Sequence, residues 1–211
     1  MSDVSGILLL DKPAGPTSNR ALQEIKRLFG ASKAGHTGSL DPLASGLLPI
    51  CLGEATKISQ FLLDADKHYR FELKLGIATE TDDAEGAPIA TAPVPALSLG
   101  DIEAVLAGFR GAIEQVPPRF SAIKRAGQPF YRGARQGDTT LPPVRRIQVT
   151  ALRLVRAAGD TLELEVHASK GTYVRSLGRD IGAALGCGAH VTSLRRLATG
   201  PFRIEGAHTY G

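Results

Sequence analysis

Two cysteines and no long apolar run are the first limits this chain sets. Cys51 and Cys187 are too few for a disulfide framework, and neither has a CxxC or HxxxH companion of the kind that holds zinc. They read as small buried hydrophobes in a reduced protein, and the cytoplasm is the expected compartment. The longest apolar runs, ILLL and LLPICL, fall far short of the roughly 20 residues that cross a bilayer, so no membrane span is expected. The opening MSDVSGILLLDKP has an acidic lead and no cleavage-site pattern, which argues against a secretory signal. Familiar catalytic signatures are missing as well. No GxGxxG follows a strand, and neither GxSxG nor HExxH occurs. SKGT at 169–172 has the residue types of a phosphate loop in the wrong order. Five scattered histidines supply no metal-ligand spacing, so neither metal nor cofactor is expected.

What remains is an ordinary soluble composition, with 43% hydrophobic and 22% charged residues over 211 positions. That is enough chain for a sizeable core in one domain or two small ones. The net charge of +4 is mild, but it is segregated. Residues 117–146 hold seven cations (Arg119, Lys124, Arg125, Arg132, Arg135, Arg145, Arg146) against Asp138 alone. Residues 170–203 hold six (Lys170, Arg175, Arg179, Arg195, Arg196, Arg203) against Asp180, whereas 80–103 holds six acids and no base. Two Arg-rich stretches of this kind point to a polyanion-binding face, with nucleic acid as the expected partner.

The periodicity is mixed. Residues 6–11 read as a buried strand, and Thr17 or Ser18 caps a helix to Leu28 with Gly30 as its stop. Residues 54–63 read as a second amphipathic helix, and Tyr69, Phe71, Leu73 and Leu75 alternate as on a half-buried strand. The acidic 79–95 reads as a loop, and Ser98 with Asp101 starts a capped helix to Phe109. From 116 to 137 no period persists, which marks a long excursion. Two alternating strands, 147–155 and 162–166, precede a helix at 172–185 and a last strand at 190–197. The pattern predicts an α+β fold with a mixed, largely antiparallel sheet flanked by helices.

Chemistry concentrates in GHTGSLDPLASG at 35–46, which packs one carboxylate, one histidine and three glycines into a stretch without helix or strand period. Loops of this sort are disproportionately functional. Asp41 before Pro42 also reads as a helix cap, but Gly46 and Pro49 would limit any such helix to about a turn. Tyr69, Tyr173 and Arg175 are the other reactive candidates. Taken singly, Tyr69 reads as a strand aromatic and Arg175 as a surface ion-pair partner.

Four stretches, GILLLDKPAGPTSNRAL, AGHTGSLDPLASGLLPICLGEATK, DKHYRFELKLG and SKGTYVRSLGRDIGAALGCGAHVTSLRR, are similar in order to the bacterial tRNA pseudouridine(55) synthases of the TruB family. The resemblance covers nearly the whole chain and implies the pseudouridine synthase fold, with 1–211 as the catalytic domain. It implies a cofactor-independent isomerase that flips a uridine out of the T-loop of tRNA and turns it into pseudouridine, acting as a monomer. By the resemblance Asp41 is the essential aspartate, Tyr69 lies against the target uracil, Arg175 pairs with Asp41, and Tyr173 stands close to both. His36 fills the space the flipped base leaves. Lys12, Gly35, Thr37, Lys124, Arg125, Arg132, Lys170, Leu194 and Arg195 fall in the matching RNA-binding stretches. The basic excursion at about 117–146 corresponds to a thumb loop, with Phe120-Ser121-Ala122 and Arg145-Arg146 where members often have YSA and RP. Members commonly continue into a PUA-type RNA-binding domain, and a chain stopping at AHTYG is expected to lack it. Whether the carboxylate attacks the sugar, attacks the base or deprotonates C2′ stays open, since each is within a carboxylate's chemistry. A non-catalytic RNA-binding or tRNA-folding module, or the same isomerisation on another RNA, are the alternative readings.

Overall fold

A computed structural model describes residues 4–125 and 128–209. Along the chain run β1 (Gly6–Lys12), α1 (Ser18–Leu28), β2 (Ala34–His36), β3 (Ser45–Leu52), a 3-10 turn (Gly53–Ile58), α2 (Ser59–Leu63) and β4 (Lys67–Leu75). There follow β5 (Ile77–Thr79), β6 (Pro88–Thr91), α3 (Leu99–Ala107), β7 (Gly111–Gln115), β8 (Lys124–Arg125), β9 (Gln128–Pro129) and α4 (Phe130–Arg135). The chain ends through β10 (Arg145–Ala158), β11 (Thr161–Ala168), α5 (Val174–Ala184), β12 (Ala189–Thr199), β13 (Phe202–Arg203) and a 3-10 turn (Ile204–Gly206). It divides into two compact units, one of residues up to Arg70 with those from Leu194 onward, the other Phe71–Ser193.

In the first unit β3 pairs antiparallel with β1 from Gly6↔Leu52 to Lys12↔Gly46, and with β2 from Ala34↔Leu52 to His36↔Ile50. Its start runs parallel to β12, Arg195 against Ser45 and Arg196 against Gly46. No strand was expected at 45–52, where Gly46 and Pro49 were read only as limits on a helix begun at Pro42. Pro49 is tolerated because its missing N–H faces away from β1. Its carbonyl points to the β2 side, where it accepts from Thr37 N–H at 3.2 Å, and a strand residue's N and O share a side. Leu47, Leu48, Ile50 and Cys51 are fully buried, so this run is a core strand rather than a helix turn. Helix α1 is capped by the Thr17 hydroxyl, which accepts from Arg20 N–H, and it buries Ala21, Leu22 and Ile25. Residues 54–63 differ from the single helix expected of them: a 3-10 turn breaks into five residues of α-helix, and none of these side chains is buried. With no apolar face turned inward, nothing extends the helix to full length.

The second unit carries the neighbour order β12-β4-β11-β10-β7. β10 and β11 form a long hairpin, and β7 pairs with the start of β10 from Arg145↔Gln115 to Val149↔Gly111. Helix α5 lies close to this sheet because its packing face is glycine. A Cβ on Gly178 would stand 2.5 Å from Leu73 Cδ2, and one on Gly182 would stand 2.4 Å from Ala189. Helix α3 begins with the capping box expected of Ser98 and Asp101. The acidic stretch expected to be a loop contains β6, which pairs back on β5 just ahead of it, and Asp83 in the turn between them bridges to Val191. Within 117–146, β8, β9 and α4 stand where no regular element was expected.

Candidate active site

The Asp41 segment is a fixed loop rather than a helix start. Asp41 is half-buried, and its carbonyl accepts from Ala44 N–H at 3.0 Å, which closes one turn before β3 begins. The Ser18 hydroxyl, fully inside, donates to the Leu40 carbonyl at 3.0 Å and accepts from Leu40 N–H at 2.7 Å. That pins the residue before Asp41 to the first turn of α1. Pro42 C=O accepts from Gly15 N–H at 2.8 Å, which ties the residue after it to the loop following β1.

Arg196 holds both limbs of the loop. It is 1% exposed, and its Nε donates to Leu47 C=O at 2.7 Å while Nη2 donates to Gly38 C=O at 3.0 Å. Gly38 (φ 122°) and Gly46 (φ 102°) lie in the left-handed region, and a Cβ on Gly46 would stand 2.3 Å from the Arg196 carbonyl oxygen. The glycines of this segment therefore admit a buried guanidinium and the strand that carries it. His36 sits beside this cation. Burial, and then the Arg196 charge, hold its imidazole below the ordinary 6.5 and favour the neutral ring.

Other expected RNA contacts in the same unit are placed differently. Lys12 is 0% exposed, and its ammonium donates to the carbonyls of Pro13 at 2.7 Å and Pro16 at 2.9 Å. It braces the loop after β1 from inside. Thr37 and Leu194 are buried too; Gly35, on β2, and Tyr69, on β4, are half-buried. Arg195 points the opposite way from Arg196 along β12. It pairs two-pronged with Asp11, Nη1 to Oδ1 at 3.0 Å and Nη2 to Oδ2 at 2.7 Å.

In the second unit Tyr173 is the half-buried N-cap of α5 and Arg175 lies in its first turn. Arg175 is 4% exposed, which corrects its reading as a surface ion-pair partner. Its Nη1 donates to Thr81 C=O at 3.0 Å and lies 3.5 Å from Asp83 Oδ2, while Nη2 donates to Phe120 C=O at 3.0 Å. Asp83, also buried, is itself held by the Thr81 hydroxyl and by Glu85 N–H at 3.0 Å. One turn on, Arg179 bonds Asp180 at 2.8 Å, Asp82 at 3.1 Å and Val116 C=O at 3.0 Å. Asp82 adopts φ 62°, and burial raises its carboxyl above the ordinary 3.8 against the pull of Arg179 and Arg175.

The basic segment 170–203 is therefore thinner at the surface than its sequence implies. Arg175 and Arg196 are buried inside the protein, and Lys170 is exposed. In the thumb Arg132 is exposed, with Nη1 donating to Gln128 Oε1 at 3.1 Å; the side chains of Lys124 and Arg125 lie outside those described. Sequence reading missed Arg196, Ser18, Asp82, Asp83 and Gln115 as site builders. Strand alternation in SLRRL placed one of the two adjacent arginines inside, which was a usable signal. Nothing marked the two aspartates apart from the other acids of their loop. Among the described residues no cluster of His, Cys, Asp or Glu could hold a metal ion, and no helix is long and apolar enough to cross a membrane.

A family model described as TruB family pseudouridylate synthase (N terminal domain) matches residues 26–174, and one described as tRNA pseudouridylate synthase B C-terminal domain matches 175–210. The chain is 57% identical over 207 residues to tRNA pseudouridine synthase B of Chromohalobacter salexigens, covering 98% of this chain and 67% of that protein. It is 56% identical over 210 residues to tRNA pseudouridine synthase B of Actinobacillus pleuropneumoniae, covering 99% and 68%. Among solved structures it is similar to a chain of a Cbf5-Nop10-Gar1 complex, with TM-score 0.76 and 35% identity over 97% of this chain and 52% of that one. A second similarity is to an H/ACA RNP bound to a substrate RNA containing 2′-deoxyuridine, with TM-score 0.73 and 32% identity over 97% and 50%. The chain spans about two-thirds of the length of these curated relatives and about half of the solved chains.

Proposed function

Because the chain belongs to the TruB family of pseudouridylate synthases, we propose that it isomerises a uridine of tRNA to pseudouridine, the target being position 55 in the T-loop. The observation that supports this best is the Asp41 loop, whose two limbs are clamped by one buried guanidinium. A carboxylate carried on a backbone fixed from both sides meets substrate without reorganising first, which is what positioning contributes to rate.

The reaction breaks N1–C1′, joins C5 to C1′, returns a proton to N1 and loses the proton of C5 to solvent. It is redox-neutral and needs one group to react with or deprotonate the nucleoside and one to take the C5 proton. We assign Asp41 to the first role and Tyr69 to the second, with Tyr173 and Arg175 completing the catalytic set. Flipping the uridine costs a few kcal/mol, which phosphate contacts and stacking on Tyr69 offset. His36, neutral at ordinary pH, takes the place of the extruded base. Arg132 and Lys170, together with Lys124 and Arg125, supply phosphate contacts for the T-stem-loop. The protein acts as a monomer in the cytoplasm.

The test is tritium release from 5-tritiated uridine in a T-loop minihelix and in full-length tRNA. The expected result is release by the wild-type chain and none by Asp41→Asn, with the RNA affinity of the variant retained. Wild-type turnover in Asp41→Asn overturns the assignment. Faster tRNA folding with no pseudouridine formed would make the chain a binding module instead.

A further inference from the structure

We propose that Gln115 is a positioning residue for Tyr173, holding it from the root of the thumb. The proposal rests on the reading of the chain as a uridine isomerase in which Tyr173 takes part. Helix α5 starts at Val174 with Tyr173 as N-cap, and the Tyr173 side chain makes no capping bond. The first turn of any helix leaves backbone donors unsatisfied, and a buried start needs a partner for them. Gln115, the last residue of β7 and 2% exposed, is that partner. Its Oε1 accepts from Tyr173 N–H at 2.8 Å and its Nε2 donates to Tyr173 C=O at 3.1 Å.

Both backbone polar groups of one residue thus meet one side chain, 58 positions away, and the carbonyl also accepts the first helical bond of α5, from Leu177 N–H at 3.1 Å. Two bonds on opposite sides of the Cα fix its φ and ψ, observed at −101° and 109°, and with them the direction in which the phenol leaves the helix. A primary amide of this length offers an acceptor and a donor on separate atoms, one for each of these backbone groups. Glutamate keeps the acceptor and loses the donor; leucine keeps the volume and loses both.

The place of Gln115 gives the clamp a second consequence. The thumb begins at the next residue, and its root is seated on the same helix: Val116 C=O accepts from Arg179 and Phe120 C=O from Arg175, each at 3.0 Å. A displacement of the thumb root therefore pulls on the residue that orients Tyr173, so RNA held by the thumb and the placement of the phenol are mechanically linked.

A buried glutamine that merely satisfied a helix end would act through stability alone, and a double-mutant cycle separates the two cases. Gln115→Leu and Gln115→Glu are made in the wild type, in Tyr173→Phe and in Tyr69→Phe, and tritium release at saturating minihelix is followed together with RNA affinity and thermal melting. In the wild type Gln115→Leu is expected to slow the reaction on the order of tenfold and Gln115→Glu about threefold, the size set by removal of one or two hydrogen bonds. RNA affinity stays within about twofold. In Tyr173→Phe neither change slows the reaction further, whereas in Tyr69→Phe both keep their full effect. The same slowing by Gln115→Leu in Tyr173→Phe as in the wild type overturns the proposal, and so does a folded Gln115→Leu chain with the wild-type rate. If Gln115→Leu does not fold, Gln115→Glu carries the same cycle with the same outcomes. A wild-type chain that releases no tritium overturns the functional reading and this inference with it, whereas an active wild type with independent losses overturns this inference alone.

Discussion

The Arg196 guanidinium donates to the Gly38 carbonyl at 3.0 Å, three residues ahead of Asp41. The same group reaches Leu47 C=O on the far side of the loop at 2.7 Å, so the segment carrying the proposed catalytic carboxylate hangs on one buried cation. The fork reaches the two limbs through separate nitrogens, Nε and Nη2, a spread that the single Nζ of lysine does not reproduce. Arg196→Lys is therefore expected to destabilise the chain by about 2 kcal/mol, as hydrogen bonds of a buried charged donor are lost. Arg195→Lys, one residue away in a part-exposed pair with Asp11, should cost at most about 1 kcal/mol. Urea denaturation of the two variants checks the contrast, and equal losses would remove Arg196 from its place as the loop's clamp.

Glycines of this loop differ in what they are for, and alanine substitutions separate them. Gly46→Ala places a Cβ 2.3 Å from the Arg196 carbonyl oxygen at a φ of 102°. Backbone strain and overpacking together predict a loss of about 2–4 kcal/mol. Gly35→Ala meets nothing within 4 Å and has no left-handed φ, so its stability should stay within about 0.5 kcal/mol of wild type. Thermal melting of both reads this directly.

His36 predicts a pH dependence of known sign. Burial and Arg196 hold its imidazole below the ordinary 6.5, so the folded chain resists the proton that the unfolded chain takes up. Its contribution to stability is full above about pH 6.5 and is lost as pH falls toward the folded value. Between about pH 7 and pH 5.5 the denaturation midpoint of His36→Gln should fall less steeply than that of wild type. Parallel curves would mean that folding leaves the ring's proton affinity unchanged.

Thumb cations predict salt sensitivity. Removing one cation that neutralises a phosphate should reduce the log–log slope of RNA affinity against salt by about 0.7–0.9. Replacing Lys124, Arg125 and Arg132 together should flatten the slope by roughly 2–3. A slope identical to wild type would leave these side chains as a solvated face.

How much of this was legible beforehand follows the range of the interactions involved. Local pattern placed β1, α1 with a cap at Thr17 or Ser18, of which the structure uses Thr17, the boxed start of α3, and the alternation of Tyr69, Phe71, Leu73 and Leu75 on β4. These depend on neighbours within a few residues. The β3 strand was missed because Gly46 and Pro49 were read only as limits on a helix; here β12 needs the room at Gly46, and the face of Pro49 that lacks a donor points away from β1. Residues 54–63 were expected to be one helix and are instead a 3-10 turn followed by five helical residues, none of them buried.

By itself the sequence determined the α+β class, the loop that holds Asp41 and the order of four blocks that resemble one enzyme family, because each is written in contiguous residues. Tertiary structure alone decided which cations face solvent and which build the site. Arg175 and Arg196 carry the same charge as Arg132 and Lys170, yet carbonyls and a carboxylate brought from distant positions receive them inside the protein. A buried charge is tolerated only where the fold delivers such partners, and no spacing along the chain states where they will be.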